Sequence, residues 1–298
     1  EYLNFEVGIF TNLSKDHLDY HKTMENYYKS KLKLFNMTTK CNIINCDDIY
    51  GERMLKEINS KVPILTYGIN KKCDVYATDI NCHSNGVDFK LNTPKGSIPI
   101  DMKLLGLFNV YNALAAASCA ICYDIDLQTV KKGIETITGV RGRFEIIHIE
   151  SKDIDIIIDY AHTPDGLEKV LTTIEQFAQG RKIVVFGAGG NRDKEKRPIM
   201  GEIVAKHADV CVVTSDNPRY EEPEKIIEDI LEGVRRVKAN YVAITDRKEA
   251  IKYAIDIAKP KDTILLAGKG HETYIIIKDK VIPFDERQIV MEILNNTN

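Results

Sequence analysis

The chain has 298 residues, 44% of them hydrophobic and 29% charged, with a formal charge of −3. That length accommodates two domains with complete cores, and the charge shows no basic excess of the kind nucleic-acid binding requires. No apolar run approaches the length of a membrane span, so insertion into a bilayer is not expected. Seven cysteines, an odd number without framework spacing, fit a reducing cytoplasm.

The chain begins without methionine, in Phe5-Glu-Val-Gly-Ile-Phe10, which reads as a strand already under way. It is therefore expected to be part of a longer protein. Thr11-Asn-Leu-Ser-Lys-Asp-His-Leu-Asp-Tyr-His21 follows, and then a helix over about Thr23 to Phe35. On a helical projection Met24, Tyr27, Tyr28 and Phe35 share one arc, with Lys31 in its middle and Lys29 and Lys33 opposite. A lysine on an apolar face has two readings. It can snorkel, laying its stem along the surface with the charge in water. Or burial favours the neutral amine, which can take up carbon dioxide as a carbamate, a hard oxygen ligand suited to magnesium. His17, with Asp16 and Asp19, lies just upstream and makes a metal-phosphate site consistent with the second reading.

Strands over Cys41 to Asn45 and Val62 to Tyr67, around a helix at Glu52 to Ile58, form one more α/β unit. Val75 to Leu104 alternates with turn signals, with Asn85-Gly86 as a hairpin turn, and predicts a small antiparallel patch. Gly106-Leu-Phe-Asn109-Val-Tyr-Asn112 opens an alanine-rich helix. Its two asparagines, three apart, share a face and suit either capping and local backbone bonding or hydrogen bonds to a planar base. Cys119-x-x-Cys122 in this helix has no second pair and reads as buried packing, not a zinc site. A helix over Leu127 to Thr138 and a linker, Gly139-Val-Arg141-Gly-Arg143-Phe, close this half.

Beyond about residue 141 the pattern is regular. Apolar runs at Ile154–Ile158, Ile183–Phe186, Val210–Val213, Val242–Ile244 and Ile264–Ala267 alternate with helices at about Pro164–Phe177, Arg197–Lys206, Glu224–Val237 and Lys248–Ile257. This predicts a mainly parallel sheet with right-handed crossovers, followed by a hairpin at Tyr274–Ile277 and Lys280–Ile282 and a last helix at Asp285–Leu294. Nearly every unusual polar residue of this half comes just after a strand: Asp159-Tyr-Ala-His162, Gly187-Ala-Gly-Gly-Asn-Arg192, Ser215-Asp-Asn-Pro-Arg219, Asp246-Arg247 and Gly268-Lys-Gly-His-Glu272. Ligands of open α/β sheets bind outside these carboxyl ends. Arg192, Arg219 and Glu272 bring both charge signs to one crevice, which suits a zwitterion such as an amino acid. Gly187-x-Gly189-Gly190 does not satisfy G-x-G-x-x-G, and no G-x-x-x-x-G-K-[ST] occurs in these residues, so neither a dinucleotide fingerprint nor a phosphate loop is expected among them.

The segment Thr11 to His21, Asp159-Tyr-Ala-His-Thr-Pro-Asp165, the stretch Gly187 to Pro198, Asp216-Asn-Pro-Arg219 and Gly268-Lys-Gly-His-Glu272 closely resemble the Mur ligases of peptidoglycan synthesis, in the family's order and over essentially the whole chain. The resemblance implies an α/β chain in which residues 1–140 are the C-terminal part of the central ATP-binding domain and 141–298 a Rossmann-like domain that receives the amino acid. It also implies that the family's phosphate loop and uridine-nucleotide domain lie outside these residues, so that this stretch alone is inactive. By motif, Lys31 matches the lysine carbamylated for Mg2+, and His17 matches the magnesium-binding histidine. Asn109 and Asn112 match the pair near adenine, and Arg143, Asp159 and His162 match residues around the ATP ribose and phosphates. Arg192, Asp216, Asn217, Pro218, Arg219, Gly268 and Glu272 match the amino-acid site.

The implied activity is ATP-dependent addition of meso-diaminopimelate to UDP-MurNAc-L-Ala-D-Glu by a monomeric cytoplasmic enzyme. The Asp-Asn-Pro-Arg form of the motif accompanies that substrate. Its far carboxylate suits Arg219, whereas the ammonium of lysine would be repelled. A lysine-adding relative, a folylpolyglutamate synthase and, for this stretch alone, a non-catalytic amino-acid-binding module are the alternatives.

Overall fold

The computed structural model describes residues 3–83 and 85–295, and the chain divides into two compact units, Glu1–Thr138 and Gly139–Asn298. Glu1 at the start and Ser84 in the expected hairpin turn lie outside the described residues. No helix among the described residues is long and apolar enough to cross a membrane.

The first unit contains β1 (Phe5–Phe10), α1 (Leu18–His21), α2 (Met24–Phe35), β2 (Thr38–Asn45), α3 (Ile49–Glu57), β3 (Ile64–Gly68), β4 (Val75–His83), β5 (Gly86–Thr93), β6 (Gly96–Met102), α4 (Leu107–Cys122) and α5 (Leu127–Thr136). Its six strands form one sheet in sequence order. Neighbours are parallel from β1 to β4 and antiparallel from β4 to β6. The expected antiparallel patch is therefore an extension of the parallel sheet: β4 pairs with β3 through Tyr67 and Val75 before turning back on itself. Helix α4 buries Val110, Ala113, Leu114, Ala117 and Ile121, a 3.6-residue pattern, into the same core as Val75, Val87, Leu91 and Ile100 of the sheet. At roughly 1.5–3 kcal/mol per large side chain buried, this cluster is the principal stabilising contact of the unit.

Helix α2 begins where the Thr23 hydroxyl accepts a hydrogen bond from the Asn26 amide at 3.1 Å. Its buried stripe is Tyr28 and Phe35, with Leu32 half-buried between them. Of the two readings left open for Lys31, snorkelling fits and burial does not: its side chain is exposed although Tyr27, Tyr28, Leu32 and Leu34 of the same helix pack against the core. Cys46 and Cys73 form a disulfide, which the reading of all seven cysteines as thiols did not contain. Sheet order brings the end of β2 beside the approach to β4, and a separation of 27 residues gives no local signal of that. Cys119 and Cys122 are free and pack against the core, as the sequence reading had them.

The second unit contains β7 (Glu145–Ile149), β8 (Ile154–Asp159), α6 (Pro164–Glu175), β9 (Lys182–Phe186), α7 (Lys196–His207), β10 (Val210–Val213), α8 (Pro223–Val237), β11 (Tyr241–Ala243), α9 (Arg247–Ile257), β12 (Thr263–Ala267), β13 (Tyr274–Ile277), β14 (Lys280–Pro283) and α10 (Glu286–Asn295). The sheet order is β11-β10-β9-β12-β8-β7, and only β7 runs antiparallel to its neighbour. Strand β7 follows the expected linker directly; its half-exposed edge alternation is the one strand of this sheet absent from the sequence reading. Strand β12 enters between β9 and β8 and is buried along its whole length, as a continuous apolar run on a central parallel strand should be. The separate hairpin β13–β14 closes on the loops at the strand ends.

Candidate active site

The loops after β8, β9, β10 and β12 gather at one end of the second sheet. After β10 the chain turns through Asp216-Asn217-Pro218-Arg219; Asp216, Asn217 and Pro218 are buried and Arg219 is half-buried. Asn217 is oriented from three directions. Its Oδ1 accepts from the Ile276 amide at 2.9 Å and from Lys269 Nζ at 3.2 Å, while its Nδ2 donates to Glu272 Oε2 at 2.9 Å. Arg219 sits in the left-handed region at φ 52°. Two backbone bonds to the β13–β14 hairpin hold it there: its amide donates to Ile276 O at 3.0 Å, and its carbonyl accepts from Lys278 N at 2.7 Å. Its Nη1 donates to Gly190 O at 3.0 Å. Among the described residues Arg219 forms no ion pair, so its charge is compensated by carbonyl dipoles alone.

Two glycines make the approach possible. A Cβ on Gly190 would lie 1.9 Å from the Pro218 carbonyl oxygen. Gly268 has φ +116°, and a Cβ there would lie 2.7 Å from Asp216 Oδ2. The missing Cβ of Gly189 would meet Arg219 Nη1 at 2.8 Å and Arg192 Cγ at 3.8 Å, so both arginines flank one glycine of the β9 loop. Arg192 is exposed. The structure thus brings Arg192, Asp216, Asn217, Pro218, Arg219, Gly268 and Glu272 together.

Beside them, the Gly268 amide donates to Asp159 O at 3.0 Å. The buried Asp159 carboxylate accepts from Phe144 N and Ala161 N, each at 2.7 Å. Burial nevertheless pushes its carboxyl above the usual range, against those amides and the charges of Arg143 and His162. His162 Nδ1 lies 2.8 Å from Tyr160 O. Because a carbonyl only accepts, that nitrogen carries the hydrogen. Arg143 is exposed, 4.3 Å from the centre of the Tyr160 ring.

In the first unit Tyr27 gathers three polar groups. Lys31 Nζ stands 5.4 Å from the centre of its ring, the His17 ring meets it edge-on at 6.2 Å, and His21 stacks on it at 4.4 Å. His17 is exposed, in the left-handed region at φ 53°, with Nε2 3.5 Å from Asp16 Oδ2. Asn109 donates to Leu105 O at 2.8 Å, and Asn112 donates to Asn109 Oδ1 at 3.1 Å, which is the local bonding the sequence allowed.

Sequence reasoning passed over several polar residues here. Lys269 is wholly buried beside Asp216, Asn217 and Glu272. Arg197 is wholly buried too; it donates to Glu221 at 2.9 and 3.0 Å, to Asp229 at 2.8 Å and to Gly189 O at 3.3 Å. Glu221 also accepts from Asn191 N at 2.5 Å, and its partners, Arg197 foremost, hold its carboxyl down to about 2. Arg247 pairs with Glu286 at 2.8 Å, both without exposure, and donates to Ala267 O at 2.7 Å. In the first unit Asp47 Oδ2 accepts from Ile69 N at 2.6 Å, Asn70 N at 2.9 Å and Tyr111 OH at 2.8 Å. A signal was present for two of them: Lys269 stands between two glycines, and Arg197 directly precedes Pro198.

The family descriptions "Mur ligase middle domain" and "Mur ligase, glutamate ligase domain" match residues 1–120 and 142–270. The UDP-N-acetylmuramoyl-L-alanyl-D-glutamate–2,6-diaminopimelate ligase of Caldanaerobacter subterraneus subsp. tengcongensis is 50% identical over 291 residues, 98% of this chain and 60% of that protein. A solved structure of a ligase of the same description is 36% identical, with a TM-score of 0.61 over 98% of this chain and 60% of the other. MurF from Acinetobacter baumannii, 19% identical, shares the fold at a TM-score of 0.75 over 97% of this chain and 60% of its own. The chain thus spans about 60% of the length of the relatives it matches. With two adjoining Mur ligase regions accounting for most of its residues, and with the sheets those regions require, the chain belongs to the Mur ligase family.

Proposed function

We propose that the protein of which this chain is part is an ATP-dependent amide ligase adding meso-diaminopimelate to UDP-MurNAc-L-Ala-D-Glu, with residues 1–140 contributing to ATP binding and 141–298 receiving the amino acid. The observation that carries the reading is the cluster at the strand ends of the second unit. Arg219, with its charge opposed by no carboxylate among the described residues, lies near Asn217, Asp216 and Glu272, a set that complements a molecule bearing carboxylates and ammonium groups. The likeness to 2,6-diaminopimelate ligases at 50% identity supports the same choice. A cytoplasmic location goes with ATP as co-substrate.

In this reaction the γ-phosphoryl group of ATP passes to the side-chain carboxylate of D-glutamate, releasing ADP. The amine of diaminopimelate then attacks the acyl carbon, an amide forms, phosphate leaves and the amine loses a proton. Asn109 and Asn112 would meet the adenine, and Arg143, Asp159 and His162 the ribose and phosphates; Arg192, Arg219 and Glu272 orient the acceptor. The protein mainly positions groups and balances charge. Lys31 is exposed, and its uptake of dissolved carbon dioxide rests on the motif match and not on burial. Its nitrogen bonds the carbon, a proton leaves, and the resulting carbamate would hold Mg2+ together with His17. Among the described residues no group of three or more His, Cys, Asp or Glu could hold a metal. When bound, the ion offsets the phosphates' negative charge.

The test is ADP release by the full-length protein with ATP, Mg2+ and UDP-MurNAc-L-Ala-D-Glu. Release should depend on meso-diaminopimelate, and equal rates with L-lysine would remove the diaminopimelate assignment.

A further inference from the structure

Lys269 is one of the largest wholly buried side chains in the molecule. Its Nζ donates to the Tyr274 carbonyl at 2.8 Å, to Asn217 Oδ1 at 3.2 Å and to Glu272 Oε2 at 3.4 Å, and stands 3.8 Å from Asp216 Oδ1. These partners come from three separate segments: the loop after β10, the loop after β12 and the first residue of β13. An ammonium has three donors and no acceptor, and here all three point at defined oxygens.

The consequence is directional. An asparagine amide has two faces, an acceptor oxygen and a donor nitrogen, and little intrinsic preference between its flipped orientations. Lys269, with the Ile276 amide, requires the oxygen of Asn217 to face inward. The nitrogen is thereby turned to Glu272, which it holds at 2.9 Å. With Lys269 removed, one of the two donors fixing Asn217 is lost, and the buried carboxylate of Asp216 and the half-buried one of Glu272 lose the cation between them. Like charges lacking a shared counter-ion repel and move apart.

We infer that Lys269 is the positioning residue of the amino-acid acceptor site: through the Asn217 amide and the Glu272 carboxylate it sets where the ammonium of the incoming amino acid is bound, without touching that substrate. The inference rests on the ligase reading above. It also assigns different jobs to neighbouring cations, since Arg219 meets a substrate carboxylate while Lys269 arranges the groups that meet an ammonium.

The experiment uses the full-length protein, with KM measured separately for ATP, for UDP-MurNAc-L-Ala-D-Glu and for meso-diaminopimelate. Lys269→Met is expected to raise KM for meso-diaminopimelate about 10- to 100-fold, the scale of a misplaced binding group, with the other two KM values within about twofold. Lys269→Gln, which keeps a donor toward Asn217 but no charge, should fall between Lys269→Met and wild type and guards against a failure of the methionine variant to fold. Ile255→Ala, in the core two turns beyond Arg247 near the C-terminal end of α9, serves as a destabilised control and should leave all three KM values unchanged. An unchanged KM for meso-diaminopimelate in Lys269→Met, or equal changes in all three KM values, overturns the inference. If wild type itself does not accept meso-diaminopimelate, the ligase reading fails first, and the two failures are thereby told apart.

Discussion

Replacing Arg219 with alanine takes one positive charge from the acceptor cluster while leaving its backbone almost as it was. Arginine and alanine carry the same Cβ, so the strain of φ 52° is common to both and cancels in the comparison. What the folded protein loses is the bond from Nη1 to Gly190 O at 3.0 Å on a half-buried side chain, about 1 kcal/mol. For a domain of this size that corresponds to a Tm lower by roughly 2–4 °C. What the complex loses is larger. A charge-assisted pair to the far carboxylate of diaminopimelate contributes about 1.5–3 kcal/mol. That is roughly 10- to 150-fold in affinity. The charge also works against an ammonium at the same place, so binding of L-lysine should hold steady or improve. The decisive quantity is therefore the ratio of kcat/KM for meso-diaminopimelate over L-lysine, measured in the full-length protein. It should collapse by at least tenfold in Arg219→Ala and by less in Arg219→Lys, which keeps the charge without the fork. An unchanged ratio, with the modest Tm loss present, would refute the assignment of Arg219 to the far carboxylate.

Other residues lead to equally definite outcomes. Lys31→Ala should reduce ADP formation by at least about 100-fold while leaving the Tm within about a degree, since the side chain is exposed; depleting bicarbonate should lower wild-type activity and leave the variant's residue of activity unchanged. Arg197→Met leaves Glu221 and Asp229 without their buried counter-ion and should cost about 3–5 kcal/mol in denaturant unfolding. Because folding lowers the Glu221 carboxyl from 4.5 to about 2, the stability it contributes is present above pH 4.5 and lost as the pH falls toward 2. In Arg197→Met that part of the acid dependence should shrink, the Asn191 amide and Lys194 still holding the carboxyl down. Gly268→Ala places a methyl 2.7 Å from Asp216 Oδ2 at a φ of +116° and should cost about 1–3 kcal/mol, with weakened diaminopimelate binding seen by calorimetry.

The α/β class and the strand-end loops were legible because β8, β9 and β12 are short apolar runs that end at Asp159, Gly187 and Gly268, while β10 and β11 give way within three residues to Asp216 and Asp246. Strand β7 was not, since Glu145-Ile-Ile-His-Ile149 is an edge strand of mixed exposure beside a glycine-rich linker. The convergence of Asp216 to Arg219 with Gly268 and Glu272 followed from one rule about sheet ends. Lys269 stands inside a quoted motif and was still missed, because Gly268-Lys-Gly-His-Glu272 reads as an exposed polar loop. Its burial depends on the hairpin closing over it, through contacts from residue 269 to residues 217 and 274 that no local pattern encodes. Lys31 shows the reverse: the projection placed it among apolar neighbours without deciding between burial and snorkelling, and in the packed helix it runs beside the Tyr27 ring into water.

The charges at the strand ends follow a division of labour that bears on substrate choice. Arg197 and Arg247 are wholly buried and matched to carboxylates, Glu221 with Asp229 and Glu286 respectively. They tie the loops together, through Gly189 O in one case and Ala267 O in the other, and have no charge left to offer a ligand. Arg219 is placed differently: its Nη1 meets carbonyl oxygens only, and its backbone is held by the hairpin. A carbonyl dipole orients a guanidinium without neutralising it, so the attraction for an incoming carboxylate survives folding. Had Glu272 been its partner, a carboxylate ligand would have had to break an ion pair in order to bind. Instead Glu272 is turned toward Asn217 and Lys269. On the proposed reading, Arg219 kept apart from the carboxylates meets a carboxylate of the amino acid, while Glu272, already shared with Asn217 and Lys269, faces its ammonium.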